Sequence, residues 1–306
     1  MQVRILGSAA GGGFPQWNCA CPNCRTIRAG KFPGKARSQA QVAVSEDGVS
    51  WFLLGASPDL RYQIEACPEL HPHDQPRHSP ICGVVLTSAE LDQTLGLLLL
   101  REYQPLSIYA SNSVRRILRQ HNSMFGMLNR SPEGACWHGI RADTEFQLCT
   151  SGGKSGIQCY AVSLSTRYPA YVGNGCHLSP EDAVFGLRLT SSNGRVIAYF
   201  PSCGKVNDQM SQALQDSDLL LFDGTFYRDH ELKEILGWGP RAMEMGHLPV
   251  AGEHGSLRQL AGISAKRKFY IHINNTNPML NEMSSEYRAV RDAGWELAED
   301  GWQAVL

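Results

Sequence analysis

Short apolar runs alternate with glycine- and proline-rich breaks along most of this chain, and only a few stretches carry apolar residues at helical spacing. The first forty residues read as a short strand, VRILG, followed by glycines and a cysteine-rich loop. In QAQVAVSEDGVSWFLLG two alternating segments flank Glu46-Asp47-Gly48, and Asp-Gly between such segments predicts an antiparallel hairpin. The stretch from Cys67 to Pro80, CPELHPHDQPRHSP, has four prolines and no period, so it is a loop. The continuous run ICGVVLT after it suits a strand buried on both faces.

SAELDQTLGLLLLREY then places Leu91, Leu95, Leu98 and Leu99 on one helical face, and Pro105 ends that helix before a strand, LSIYAS. A second helix is predicted from Ser113 to Gly126. From Glu145 the pattern begins again with strands FQLCT, IQCYAVSL, VFGLRLT and RVIAYF, a helix over about Asp208 to Gln215, and the strand DLLLFDGTF. Further helices, the strand KFYIHIN and the closing run WELAEDGWQAVL complete the chain. Neither a tandem period nor a linker rich in Pro, Gly or Ser interrupts it. The expected fold is therefore α/β, two sheets with helices outside, in a single domain over 1–306 whose two similar halves meet near residue 140.

Composition narrows the partners. With 28 Lys+Arg against 29 Asp+Glu and a net charge of −1, the chain has no surplus of positive charge to track a phosphate backbone, so no nucleic acid is expected. The longest apolar stretch, Leu95 to Leu100, is far short of the ~18 residues of a membrane span, and MQVRILGSAAGGGF offers no secretory core. A cytoplasmic, reducing location is expected, in which the ten cysteines serve as thiols, metal ligands or core fillers.

The sharpest local signal is NCACPNC. Cys19, Cys21 and Cys24 lie close enough in sequence for their thiolates to converge on one cation, and zinc accepts three or four such ligands without redox demand. A structural zinc is the expectation over a redox pair or three unrelated thiols, with a fourth ligand from far away, Asn275 or His272. A second signal is the turn after ICGVVLT, where Ser88, Glu90, Asp92 and Gln93 gather at a strand's C-terminal end. Its bland alternative is a capping box in which Thr87 and Glu90 only satisfy backbone N–H groups. GSAAGGG lacks the residues that accompany a phosphate cradle and reads as a tight turn. His247, in MGHLPV, and His272, in FYIHINN, are buried core histidines by default. Asp223, ending a buried apolar strand, is more often functional than core. His71, His73 and His78 read as solvated or as part of a lid.

The polar turn after ICGVVLT resembles the metal-binding turn of the metallo-β-lactamase superfamily, whose pattern is H-x-H-x-D-H. The three-cysteine loop resembles the structural zinc loop of the phosphodiesterase and tRNA-processing branch. Together with GASPDLRYQI, LLFDGTF, MGHLP and HINNTNP, these motifs make the whole chain similar to the member family that serves biosynthesis of pyrroloquinoline quinone. The resemblance implies a four-layer αββα sandwich of two mixed sheets. Carried over position by position, it finds Ser88, Glu90 and Gln93 where the hydrolases have histidines, keeps Asp92, and places the next histidine near Ser165 or Thr166. The bridging aspartate falls at Ser202, and His272 takes the late histidine position. Asn275 stands where the sister branch completes its structural zinc site.

That donor set is oxygen-rich, and two-zinc hydrolysis is disfavoured. Glu90, Asp92 and His272 are the expected ligands of one harder divalent ion, Fe(II) or Mn(II), with Fe(II) preferred, while Asp92, Asp223 and His247 are the expected catalytic groups. The resemblance implies oxygenation of the tyrosine-derived ring of a Glu–Tyr precursor, with Arg61, Lys205 and Arg241 available to an acidic substrate. The alternative is a carrier that transports the finished quinone or its precursor without turnover. Other proteins of the same pathway are the expected partners.

Overall fold

Ladders of short strands organise the chain. A computed structural model describes residues 1–73, 75–102, 104–129, 134–165, 167–173 and 177–306. The strands are β1 (Gln2–Gly7), β2 (Gln41–Ser45), β3 (Trp51–Leu54), β4 (Ile81–Val85), β5 (Leu106–Ser111), β6 (Ala135–Ile140), β7 (Glu145–Thr150), β8 (Gly153–Ser165), β9 (Val184–Thr190), β10 (Val196–Phe200), β11 (Ser217–Asp223), β12 (Ala265–Ile271), β13 (Glu296–Leu297) and β14 (Trp302–Val305). They form two mixed sheets of seven strands each, flanked by helices, which is the α/β class expected. Backbone packing divides the chain into two compact units, one of residues 1–6, 41–195 and 301–306, the other of residues 7–40 and 196–300.

In the first unit the order is β14-β1-β2-β3-β4-β5-β6, accompanied by the antiparallel run β7-β8-β9. The predicted hairpin forms, with Ser45 opposite Trp51. Asp47 closes it by accepting from the amides of Val49 (2.8 Å) and Ser50 (2.7 Å). Strands β3 to β6 run parallel and bury Leu53, Val84 and Ile108 completely, as their continuous apolar runs require.

Three expectations are corrected in this unit. The long leucine helix is instead a short helix, Leu91–Thr94, followed by a 3-10 segment, Leu95–Leu100. The Gln93 carbonyl accepts from the Ala56 amide at 2.8 Å, and the Gly96 amide donates to the Ala56 carbonyl at 2.9 Å, so tertiary bonds compete with the helical ladder. A Cβ on Gly96 would stand 2.2 Å from the Ser57 carbonyl oxygen, which explains the glycine. The second helix spans Asn112–Gln120 and stops where the Asn122 side chain accepts from the Met124 amide at 3.2 Å, opening a new turn, Ser123–Asn129. The capping box does not form as expected: the Ser88 hydroxyl, not that of Thr87, accepts from the Glu90 amide at 3.2 Å, and the Thr87 hydroxyl meets the Gln93 side chain at 3.5 Å. His71 Nε2 lies 3.1 Å from the Ile64 carbonyl and 3.2 Å from the Glu65 carbonyl, at the end of the helix Leu60–Glu65.

The second unit is built on the parallel strands β10-β11-β12-β13. Asp223 stands opposite Ile271, so β11 and β12 end side by side. Strand β12 ends one residue before His272, whose φ of +61° turns it off the ladder. The glycine run is the tight turn expected, with the Gly13 amide donating to the Ala10 carbonyl at 3.1 Å.

Candidate metal and proton-transfer centre

Parallel strands present polar side chains where they end, and β11 and β12 do so here. Asp223 is 0% exposed, His272 8% and His247 9%. Asp223 accepts four hydrogen bonds: at Oδ1 from the Thr225 amide (3.0 Å) and the Thr225 hydroxyl (2.6 Å), and at Oδ2 from the Cys203 amide (2.8 Å) and His247 Nδ1 (2.8 Å). Burial opposes ionisation of this carboxyl, but the charge and hydrogen bond of His247, then His272 and Thr225, outweigh it and hold its pKa below the ordinary carboxylate value.

An ionised Asp223 dictates where the protons sit. It can only accept, so the single Thr225 hydroxyl proton points at Oδ1, and the Thr225 hydroxyl oxygen accepts from His272 Nδ1 at 2.8 Å. His247 Nδ1 likewise carries its proton toward Asp223, and whenever a ring carries only that one proton its Nε2 holds the lone pair. The rings stack at 5.4 Å between centroids, and Phe226 closes on His247 edge to face at 6.0 Å. Asp223, His247 and His272 together have the two-histidine, one-carboxylate composition of a ferrous site. They do not fit a closed three-ligand cage, because the four bonds to Asp223 occupy the acceptor capacity of its carboxylate. Asp223 is placed to orient imidazoles rather than to bind an ion.

The cysteines form a second cluster in the same unit. The ligand atoms of Cys19, Cys21 and Cys24 lie within 4.8 Å of one another. Asn275 Nδ2 faces all three sulfurs, at 3.2 Å from Cys19, 3.7 Å from Cys21 and 3.3 Å from Cys24. Burial opposes ionisation of Cys19, but hydrogen bonds from the Cys21 amide and its neighbours outweigh it and lower its pKa. Burial pushes Cys21 up to about 12. Three convergent thiols fit the thiolate part of a zinc site, with the Asn275 side-chain amide donating to the sulfurs.

The remaining sequence candidates are scattered. Glu90 is exposed and Asp92 half-buried, both at the turn after β4 in the first unit, beside buried Ser88 and Gln93. Ser165 ends β8, and Thr166 lies outside the described residues. Ser202 is half-buried, and it is the next amide, Cys203, that reaches Asp223. Arg61 and Lys205 are exposed, and Arg241 pairs with Glu244 at 3.1 Å. Sequence reasoning missed Thr225, the hydroxyl on which the network turns. Its only signal was the Asp-Gly-Thr step ending a buried strand.

Residues 50–273 match the β-lactamase superfamily domain. The chain is 42% identical to coenzyme PQQ synthesis protein B of Rhodopseudomonas palustris and 38% identical to that of Acinetobacter baumannii, covering 100% of each chain in both cases. The crystal structure of Zn(2+)-bound PqqB from Methylobacterium extorquens superposes with a TM-score of 0.91 at 36% identity over 100% of both chains. A diphosphatase of the PhnP family shares the fold, with a TM-score of 0.69 at 20% identity over 99% of this chain and 96% of its own. These likenesses give the chain the metallo-β-lactamase fold that its motifs implied. The chain belongs to the coenzyme PQQ synthesis protein B family.

Proposed function

We propose that this chain acts in the synthesis of coenzyme PQQ, the process for which its full-length relatives are named, and that it does so as a metal-supported enzyme. The observation that carries the reading is the buried network of Asp223, Thr225, His247 and His272, which fixes both imidazoles with the lone pair on Nε2. A ring held so accepts a proton at Nε2 as substrate loses one, and Asp223 stabilises the imidazolium that results. His247 is the proton acceptor and later donor, Asp223 orients it, and His272 offers Nε2 to a divalent ion. Cys19, Cys21 and Cys24, with Asn275 facing them, hold a structural zinc. Glu90 and Asp92 are proposed as carboxylate ligands on the resemblance alone.

The reaction proposed is oxygenation of the tyrosine-derived ring of a Glu–Tyr precursor, for which a bound Fe(II) would supply dioxygen activation. Protein loaded with Fe(II) without oxygen, then given precursor, air and a two-electron reductant such as ascorbate, is expected to yield a product heavier by two oxygen atoms, or by one with the second atom reduced to water at the reductant's expense. His247→Asn is expected to lower that yield at unchanged iron content. No oxygen incorporation into bound precursor would overturn the reaction. A carrier role is the second reading, favoured by Ser88, Glu90 and Gln93 at positions where the superfamily's hydrolases have histidines. It predicts ligand binding that survives both His247→Asn and Asp92→Asn.

A further inference from the structure

Segment 274–277 touches both the thiolates and the proton relay. Asn275 faces the three sulfurs. Asn277, 0% exposed, donates Nδ2 to the carbonyls of Gly224 (3.0 Å) and Thr225 (3.2 Å), while its Oδ1 accepts from the Met279 amide at 3.0 Å. The Asn274 amide also donates to the Thr225 carbonyl, at 3.0 Å. Thr225 is therefore gripped through its backbone by this segment and through its hydroxyl by Asp223 and His272. On the other side Asn23, in the helix Pro22–Arg28 that carries Cys24, donates Nδ2 to the carbonyls of Asn275 and Asn277, each at 3.1 Å.

We infer that Asn23 and Asn277 are positioning residues that couple the two clusters, so that a metal ion held by the thiolates orders Thr225 and fixes the orientation of His247 and His272. The inference rests on the proposed binding of an ion at Cys19, Cys21 and Cys24. The path is short: the helix bearing Cys24, the half-buried Asn23 amide, the 275–277 backbone, the buried Asn277 amide, and the Thr225 carbonyl. An ion that ties Cys19, Cys21 and Cys24 together pins the start of that helix, and the doubly donating Asn23 transmits the restraint without touching a ligand of either cluster. Outer-shell groups of this kind commonly change the behaviour of the groups they hold by 10-fold or more. By linkage, whatever binds at the imidazoles tightens the thiolate site by the same factor.

The test uses metal-free full-length protein and Cd(II), a soft ion that selects thiolates. Loading is followed by thiolate-to-metal absorption. His247 and His272 are followed by nitrogen-15 NMR and by exchange of their Nδ1 protons. In the parent protein one Cd(II) is expected to shift both histidine signals and slow exchange about 10-fold, within the usual range of site-to-site coupling. Asn23→Asp, nearly isosteric but unable to donate, should reach the same thiolate absorption with little histidine response, and Asn23→Ala should match it. Absence of thiolate absorption in the parent overturns the metal site and the coupling with it. Absorption without a histidine response, or an equal response in both Asn23 variants, overturns the coupling alone.

Discussion

Replacing Thr225 by valine removes one oxygen at constant shape and tests the proton assignment directly. That oxygen donates to a buried ionised carboxylate at 2.6 Å, a charge-assisted bond with a net value of about 1.5–3 kcal/mol. It also accepts from His272 Nδ1, and a buried donor left without an acceptor costs about 1–3 kcal/mol. The two effects overlap, since the carboxylate keeps three other donors, so a loss on the order of 3 kcal/mol is expected. Thr225→Ser keeps the hydroxyl and removes a methyl, for about 1 kcal/mol. Urea unfolding of metal-free protein at pH 7 should rank parent, serine and valine variants in that order. Nitrogen-15 spectra should show His272 losing its Nδ1–H preference only in the valine variant. Equal stability of the serine and valine variants, or an unchanged His272 tautomer, would refute the proton assignment.

Other consequences are open to measurement. A Cβ at position 224 would stand 2.7 Å from Tyr270 Cβ on the neighbouring strand, so Gly224→Ala should cost about 1–3 kcal/mol in urea unfolding, and a neutral result would mean the strand ends are not in contact. Burial pushes Glu231 up to about 7, against hydrogen bonds from Thr276 and Tyr227 that favour its charge. Because its folded pKa is raised, the unfolded chain ionises first as pH rises from about 4.5 to 7, and the fold loses up to about 3 kcal/mol across that window. Glu231→Gln should flatten this slope whatever its offset, and an identical slope would remove Glu231 as the cause. Zinc at ~100 times its dissociation constant should stabilise the parent by about 2.7 kcal/mol and leave Cys19→Ser unaffected, with elemental analysis counting the ion. Glu90→Gln and Asp92→Asn should each lower bound Fe(II), and iron retained in full by both would remove them as ligands.

What the sequence made legible was local. C-x-C-x-x-C announces its cluster because the sulfurs are neighbours along the chain, and DLLLFDGTF announces both a buried strand and its terminal carboxylate. The leucine run reads as one helix because its break depends on bonds to Ala56, a residue far away in sequence. Strand β6 escaped because Ala135–Ile140 is half-exposed and lacks alternation. In the candidate site Asp223, His247 and His272 were each legible as positions, but their common partner was not. A threonine hydroxyl carries no spacing signal, and its importance arises only when two strand ends and the loop after the 3-10 turn Met243–Met245 bring three polar groups within 3.1 Å of it.

The positive φ of His272 has an evolutionary consequence. A residue with a Cβ pays about 1–2 kcal/mol to sit in the left-handed region, whereas glycine does not. Selection on backbone strain favours glycine or asparagine at this position, against the ring's bond to Thr225 and its stack on His247, which favour keeping the histidine. A library of variants screened only for heat resistance, set beside one screened for cofactor production, would display the conflict as two different residues preferred at one site.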